Sequence, residues 1–217
     1  MTDDIADEND WSTPVTLSGR YVRLEPMTAA HTEGLLAIAD DDVFEHLSSP
    51  RPQDIQAARR MVETMTNGNV TGGRVCWAQI DIRDTTAGPI AGTTSYYEIN
   101  PANGSVAIGF TWLGRQWWRS GLNTEAKLLL LQRAFDVLGA VRVFWHTDIR
   151  NIRSQAAIAG LGAEREGLLR KHKRRPDGSW RDTVQFAMTD DDWPAVRDRL
   201  TKKLYSGVPR PAPDVAR

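Results

Sequence analysis

Alternation of apolar and polar side chains predicts strands in the middle of the chain. Residues 74–82, 89–99 and 105–113 each have a strand pattern, and stretches rich in Asp, Asn, Gly and Pro separate them. Because such short turns join neighbouring antiparallel strands, the three segments are expected to form a meander. Further strands are predicted at residues 21–24, 141–147, 163–170 and 180–188.

Apolar residues at helical spacing fill the intervals between these strands. The strongest pattern covers residues 122–138, where apolar side chains occupy most faces, so this helix is expected to be largely buried. Shorter helices are predicted at residues 28–39, 53–66, 151–161 and 190–205. Strands and helices therefore follow one another in the order of a mixed α/β (α+β) fold.

The chain of 217 residues is long enough for one domain with flanking tails. Residues 1–13 are acidic with little to bury, so they are predicted to form a disordered tail. Residues 206–217 contain three prolines and are predicted to form a Pro-rich C-terminal tail. The folded domain is then expected over residues 14–205.

Charge and hydropathy exclude several classes of protein. With 27 basic and 28 acidic residues, the chain has no charge excess that favours nucleic acid or an anionic membrane. No apolar run approaches the roughly 20 residues that span a bilayer. The acidic N-terminal segment also differs from a secretory signal. The sequence therefore predicts a cytoplasmic protein that binds neither nucleic acid nor membrane.

The most informative stretch is QWWRSGLNTEAK, from Gln116 to Lys127, because it joins a predicted strand to the long apolar helix. The first N–H groups of a helix have no partner within the helix, and the helix dipole adds partial positive charge there. Gly121 permits a tight turn just before that helix. The sequence therefore predicts an anion site that suits a pyrophosphate.

Four short motifs, in a fixed order along the chain, carry a resemblance to a known family. They are AIGFTWL at residues 107–113, GLNTEAK at 121–127, DIRNIRS at 148–154, and LGA at 161–163 followed by Glu166 and Gly167. With the element order, they resemble the GNAT superfamily of acyl-CoA N-acyltransferases, in particular its RimJ/RimL-like branch. The resemblance covers about residues 17–200 and implies a central mixed, mostly antiparallel sheet flanked by helices.

The resemblance implies acetyl-CoA as co-substrate, with its pantetheine arm along the strand that ends at Leu113 and its pyrophosphate on the N–H groups of residues 119–123. The family's phosphate loop has a glycine where this chain has Arg119. We expect Arg119 to adopt an ordinary backbone conformation, because a side chain disfavours positive φ. The expected cofactor contacts are Thr111, Trp112, Leu113, Trp118, Arg119, Ser120, Gly121, Leu122, Asn123, Thr124, Asn151 and Ser154.

Two departures from the family pattern affect the catalytic residues. Ile158 stands where many members have a general-acid tyrosine, and Ala107 stands where close relatives often have a glutamate. Protonation of the departing sulfur is therefore expected from Ser154 or from water, or it is not assisted, and Glu98 is the candidate general base. The alternatives for the base are His146 and Asp148. The histidines and the single cysteine show no metal-ligating pattern, so no metal is predicted.

The predicted function is transfer of an acetyl group from acetyl-CoA to a primary amine, either a protein N-terminus or a small amine, in a ternary complex. Two alternatives stay open: a longer donor such as succinyl-CoA, and a non-catalytic acyl-CoA-binding or regulatory module. A nucleotide-binding protein is disfavoured, because neither Gly-x-Gly-x-x-Gly nor a Gly-Lys-Ser/Thr loop occurs. The family also implies a possible homodimer.

The basic run at residues 170–175 is interpreted as a solvated hairpin tip or, alternatively, as a contact for the coenzyme's 3′-phosphate.

Overall fold

Eight strands form one sheet in the computed structural model, which describes residues 10–47, 49–70 and 73–206. The strands are Leu17–Ser18 (β1), Val22–Pro26 (β2), Arg74–Asp81 (β3), Ile90–Asn100 (β4), Ser105–Leu113 (β5), Arg142–Asp148 (β6), Glu164–Arg174 (β7) and Trp180–Thr189 (β8). Their order across the sheet is β1-β2-β3-β4-β5-β6-β8-β7. Only β5 and β6 run parallel, and the other neighbours are antiparallel. The predicted fold class is confirmed.

Helices cover both faces of this sheet. They are Thr32–Ile38 (α1), Asp41–Phe44 (α2), Ile55–Val70 (α3), Leu122–Gln132 (α4), Ile152–Leu161 (α5) and Trp193–Tyr205 (α6), and a π-helical turn, Arg133–Val137, continues α4. Alternate residues of β3 separate the two layers: Trp77 packs with the core of α4, α5 and α6, whereas Cys76 and Ala78 pack with α1, α2 and α3. This alternation is why each strand can be apolar on both faces.

The elements missed by the sequence patterns are short. β1 has two residues and α2 has four, which is too few for either periodicity to emerge. At the other end, β7 continues to Arg174, so most of the basic run at residues 170–175 belongs to a strand. The hairpin tip therefore begins at Arg175 instead of in the middle of that run.

Part of the predicted acidic tail contacts the domain. The Arg133 guanidinium donates hydrogen bonds to the carbonyl oxygens of Asp10 and Thr13 at 3.0 and 3.2 Å. Trp11 packs, partly buried, against the core. At least part of residues 10–13, assigned to the predicted tail, therefore contacts the folded domain. Residues 1–9 and 207–217, the remainder of the predicted tails, lie outside the described residues.

The two parallel strands separate soon after they meet. β5 pairs with β6 only from Ser105 to Ala107, opposite Arg142 to Phe144. Beyond that point the register between β4 and β5 shifts, and Phe110 adopts a φ of +49°. Such a bulge bends a strand and redirects its side chains. The rest of β5 therefore diverges from β6 and leaves an opening in the sheet.

Candidate active site

A cleft of about 910 Å³ occupies the opening between β5 and β6. It is bounded by the end of β5, the loop that follows, the first turns of α4, and residues of β6 and α5. Every cofactor contact expected from the sequence lines this cleft except Leu122. The Leu122 side chain is fully buried in the core instead.

Tryptophans anchor the loop between β5 and α4. Trp117 is 5% exposed, and its indole N–H donates to Asp81 Oδ2 at 2.7 Å. The Arg83 guanidinium donates to both carboxylate oxygens of Asp81 and, with this indole, holds the pKa of Asp81 at about 2. Trp118 Nε1 donates to the carbonyl oxygen of Leu113 at 2.9 Å. The loop is therefore fixed to β3 and β5 before α4 begins.

Arg119 contradicts its expected backbone conformation. Its φ is +60°, in the left-handed region, and Gly121 has a φ of +83°. A side chain in this region costs roughly 1–2 kcal/mol. The hydrogen bonds of the Trp117 and Trp118 side chains explain this conformation, because they fix the backbone immediately before Arg119. The family glycine has been replaced while a conformation that favours glycine is kept.

Main-chain N–H groups of this loop remain available for a ligand. The N–H of Ser120 donates to the Trp117 carbonyl at 3.3 Å, and the N–H of Leu122 meets Ser120 Oγ at 3.4 Å. Within the described part of the chain, the N–H groups here without a partner are those of Arg119, Gly121, Asn123 and Thr124. Free amides at the start of an eleven-residue helix form an anion site.

Two arginines add positive charge beside these amides. Arg119 and Arg153 are both exposed and both line the cleft. The Arg153 guanidinium lies 3.8 Å from the ring centre of Trp118, so a cation–π contact holds it near the loop. The end of the cleft nearest α4 therefore suits a phosphate group.

Buried polar atoms in the cleft lack partners among the described residues. They include Asn123 Oδ1, an acceptor, and Trp145 Nε1, a donor. A buried polar atom left unpaired costs about 1–3 kcal/mol, so it is more often paired with a ligand or water. The pantetheine arm of an acyl-CoA carries amide N–H and C=O groups that match both atoms. The residues present therefore fit an acyl-CoA.

The first turn of α5 closes the cleft on another side. Asn151 Oδ1 accepts the N–H of Ser154 at 2.9 Å, so Asn151 acts as the N-cap of α5. Asn151 and Ser154 both face the cleft. Ile158, one turn later, is 8% exposed and also lines the cleft, so an apolar side chain occupies the place of the family's tyrosine.

A hydrogen-bonded chain sets the tautomer of His146, which lines the cleft from β6. Arg142 forms an ion pair with Glu166, and Glu166 accepts a hydrogen bond from Gln185 Nε2 at 2.9 Å. This contact orients the Gln185 amide, so its oxygen faces His146 Nε2 at 3.2 Å. Nε2 must then carry the proton, since an amide oxygen only accepts. Burial lowers the pKa of His146. The neutral ring therefore keeps its lone pair on Nδ1.

Glu98, the base expected from sequence, lies beside that lone pair and outside the lining of the cleft. Its Oε1 is 3.7 Å from His146 Nδ1, and its side chain is 48% exposed. Tyr97, which does line the cleft, places its hydroxyl 3.3 Å from the same nitrogen. A proton taken up at His146 would therefore be stabilised by the neighbouring carboxylate. Sequence reasoning missed Tyr97, whose place beside His146 depends on tertiary structure.

Two ionisable residues of α4 are buried, and sequence reasoning assigned neither its observed place. Glu125 is fully buried and accepts the N–H groups of Arg20, Tyr21 and Val22 at 2.7–2.8 Å. It thus joins α4 to the N-terminal strands and lies away from the cleft. Lys127, 4% exposed, lines the cleft. Polar residues within a helix that is apolar on most faces are the signal that could have identified both.

The described residues contain neither a metal-binding cluster nor a helix that could span a membrane. No group of three or more His, Cys, Asp or Glu side chains among them is arranged to hold a metal ion. None of the described helices combines the length and apolar character needed to cross a bilayer.

The sheet that opens between two parallel strands onto a helix N-terminus agrees with what the resemblance to acyl-CoA N-acyltransferases implies. The family model described as an acetyltransferase (GNAT) domain matches residues 22–164. The chain therefore belongs to the GNAT family. No curated protein matches the chain at a significant level.

Solved structures support the same assignment. A candidate acetyltransferase from T. thermophilus is 40% identical with a TM-score of 0.82, over 90% of this chain and 100% of that one. A GCN5-related N-acetyltransferase from Brucella melitensis is 31% identical with a TM-score of 0.83, over 89% and 87%. Mycobacterium smegmatis RimJ, solved in complex with CoA-disulfide, shares the fold at 20% identity and a TM-score of 0.73, over 88% and 95%.

Proposed function

We propose that this protein transfers an acetyl group from acetyl-CoA directly to a primary amine, either a protein N-terminus or a small amine, in a ternary complex. The observation that carries the proposal is the set of free amides at Arg119, Gly121, Asn123 and Thr124, at one end of a cleft that also holds side-chain atoms unpaired among the described residues. The pyrophosphate of the donor accepts hydrogen bonds from these amides. Its pantetheine arm forms hydrogen bonds with the unpaired side-chain atoms.

The donor lies along the cleft in this proposal. The free main-chain N–H groups of Arg119, Gly121, Asn123 and Thr124 hold the pyrophosphate, and Ser120 lines the same part of the cleft. Further along, the arm is bound by Thr111, Trp112, Leu113, Trp118, Asn123, Asn151 and Ser154. A main-chain N–H of β5 polarises the thioester oxygen, as preorganised donors do in acyl transfer.

The acceptor amine loses its proton beside His146, on the β6 side of the cleft. His146 presents a lone pair beside Glu98, and together they form a base that takes the proton as the amide bond forms. Ser154 meets the departing sulfur from the first turn of α5. Because Ile158 offers no proton, we expect the base and the positioning of the two substrates to supply most of the acceleration.

A thermal-shift titration separates the donors. Acetyl-CoA, succinyl-CoA and free CoA are each titrated, and a ligand at about 100 times its dissociation constant should stabilise by about 2.7 kcal/mol. Asn123→Ala should weaken CoA binding roughly tenfold, since one buried hydrogen bond is lost. Gln56→Ala, on the exposed face of α3, is the matched control. Equal dissociation constants in both variants would contradict the proposed contact.

Turnover then distinguishes an enzyme from a binding module. Free thiol release is measured with acetyl-CoA and a panel of primary amines and N-terminal peptides. Initial rates that depend on both substrates in an intersecting pattern support a ternary complex, whereas parallel lines indicate a covalent intermediate. CoA binding without thiol release across the whole panel favours the non-catalytic module. A cytoplasmic location, a homodimer and the absence of nucleic-acid binding stay predictions.

A further inference from the structure

Lys127 is a buried amine on the wall of the cleft. It projects from the second turn of α4, is 4% exposed and lines the same cavity as the phosphate loop. Among the residues that the structure describes, no carboxylate pairs with it. The direct transfer mechanism proposed above gives this amine no role.

Two threonine hydroxyls fix the orientation of the amine. Lys127 Nζ lies 2.7 Å from Thr94 Oγ1 on β4 and 2.7 Å from Thr111 Oγ1 on β5. Thr111 donates its own proton to the Gly109 carbonyl at 3.3 Å, which leaves Thr94 to donate to Thr111 at 2.9 Å. Both hydroxyl oxygens therefore accept from the lysine. A neutral amine has two N–H bonds, and both are then used, so its lone pair is the group left for the cleft.

The neutral form of this amine is well populated at neutral pH. Burial lowers the pKa of Lys127 to about 7. About half of the molecules then hold a neutral amine at pH 7, against about one in three thousand for a lysine in water. A neutral lysine beside a carbonyl compound is a nucleophile.

The contact with Thr111 places this nucleophile beside the donor. Phe110 marks the bulge where β5 leaves β6, and the arm of the donor is proposed to run along the residues that follow. Thr111 is the first of these, and Lys127 Nζ contacts its side chain. This inference therefore rests on the proposed function, because it requires an acyl thioester in that position.

We propose that Lys127 is a self-acylation site, which the acyl-CoA bound in the cleft modifies when no acceptor amine is present. Lys127 Nζ attacks the carbonyl carbon of the thioester, a C–N bond forms and the C–S bond breaks. The proton lost by the nitrogen is taken up by the departing sulfur, so the products are an N-acyl lysine and free CoA. The new amide occupies the acyl end of the cleft and excludes the next donor molecule.

The pH dependence of this reaction follows from the surroundings of the amine. Besides Lys127, the charged and titratable groups lining the cleft are the cations Arg119, Arg153, Lys173 and Arg181, the histidines His46 and His146, Tyr97, and Asp148. Asp148 is paired with Arg175 at 2.6 Å, so the one carboxylate of the described lining residues is not free to stabilise the ammonium form of Lys127. The acylation rate should rise about tenfold from pH 6 to pH 8 and then level off. An exposed lysine would gain about a hundredfold over the same range.

The experiment is incubation of the full chain with acetyl-CoA in the absence of an amine acceptor. We expect a mass gain of one acetyl group, mapped to Lys127 by peptide mass spectrometry. The gain should saturate with acetyl-CoA and be suppressed by free CoA. Lys127→Arg and Lys127→Met should abolish it, whereas Lys203→Arg, at an exposed site on α6, should not. N-hydroxysuccinimidyl acetate, which needs no binding site, should label Lys203 and spare Lys127.

The outcomes separate this inference from the function on which it rests. If acetyl-CoA shifts the melting temperature but Lys127 stays unmodified, self-acylation is refuted and donor binding stands. Equal labelling of the wild type and Lys127→Arg also refutes it. If no acyl-CoA binds at all, the proposed function fails together with the inference. Acetylation confined to Lys127, blocked by CoA and levelling off above pH 8, supports it.

Discussion

Replacing Lys127 by methionine should stabilise the protein at neutral and acidic pH. The lysine is 4% exposed, contacts only neutral groups and has no carboxylate partner among the described residues. A charge in such a place has lost its hydration without an ion pair in return. Methionine has nearly the same length and fills the same volume without a charge. The substitution therefore removes the cost of burying the ammonium while it keeps the packing.

The magnitude follows from the pKa of the amine. Burial lowers it from an ordinary value of 10.5 to about 7. At about 1.36 kcal/mol for each factor of ten in proton affinity, the cost of the buried charge is roughly 5 kcal/mol at low pH. Methionine also removes two hydrogen bonds to threonine, each contributing about 1 kcal/mol. We therefore expect a net gain of about 3 kcal/mol in the free energy of unfolding at pH 6.

The gain should depend on pH in one direction. Between pH 7 and pH 10.5 the unfolded chain holds the Lys127 proton and the folded chain does not. Stability rises with pH wherever the unfolded state binds more protons, so the wild type should become more stable across this window. Lys127→Met lacks this titration. Its advantage should therefore be largest below pH 7 and should shrink steadily towards pH 10.

Guanidinium chloride unfolding at pH 6, 7.5 and 9 measures both effects. Lys203→Met, at an exposed position of α6, is the control and should change stability by less than about 0.5 kcal/mol at every pH. The reasoning is refuted if Lys127→Met destabilises the protein at pH 6. It is also refuted if the difference from the wild type is the same at pH 6 and pH 9, since the lysine would then be charged or neutral throughout.

Three further predictions concern the supports of the site. Glu125→Gln should lower the free energy of unfolding by about 3 kcal/mol in a thermal melt, because an amide N–H₂ would face the buried main-chain donors that Glu125 accepts; a loss below 1 kcal/mol would contradict its structural role. Arg119→Gly should be more stable than Arg119→Ala by about 1 kcal/mol, since only glycine relieves the φ of +60° and both variants lack the charge; equal melting temperatures would show that the loop relaxes. Asp81→Asn should destabilise by about 2 kcal/mol at pH 7, because the lowered pKa of Asp81, about 2, makes its charged form stabilising. That stability is complete above pH 4 and lost as pH falls to 2, so the wild type and Asp81→Asn should converge there in acid unfolding curves.

The sequence predicted the elements whose signals are local. The strands that became β3, β4 and β5 alternate and are bounded by turn residues, and these patterns arise within a few positions of the chain. The loop before α4 combined a glycine with the start of an apolar helix, so the sequence predicted an anion site there. Physical rules that act over short distances were sufficient for these features.

Features that depend on distant residues could not be predicted. The backbone of Arg119 follows from anchors at Trp117 and Trp118, and Trp117 is held by Asp81, which is remote in sequence. Local preference alone gives the wrong conformation because the anchors outweigh roughly 1–2 kcal/mol of steric cost. Arg175, interpreted as part of a solvated tip, instead forms an ion pair with Asp148 through the turn of the hairpin.

The isolation of Lys127 is itself a consequence of helix geometry. Glu125 is two residues away and fully buried, yet successive residues of an α-helix are turned by about 100°, so residues two apart project from nearly opposite sides. Glu125 therefore binds the main chain of β2 and the residues before it, while Lys127 meets Thr94 and Thr111 across the helix. A glutamate at Leu131, four residues after Lys127, would lie on the lysine's own face and could pair with it. With leucine there, the amine keeps its low proton affinity, and a nucleophile remains on the wall of the cleft.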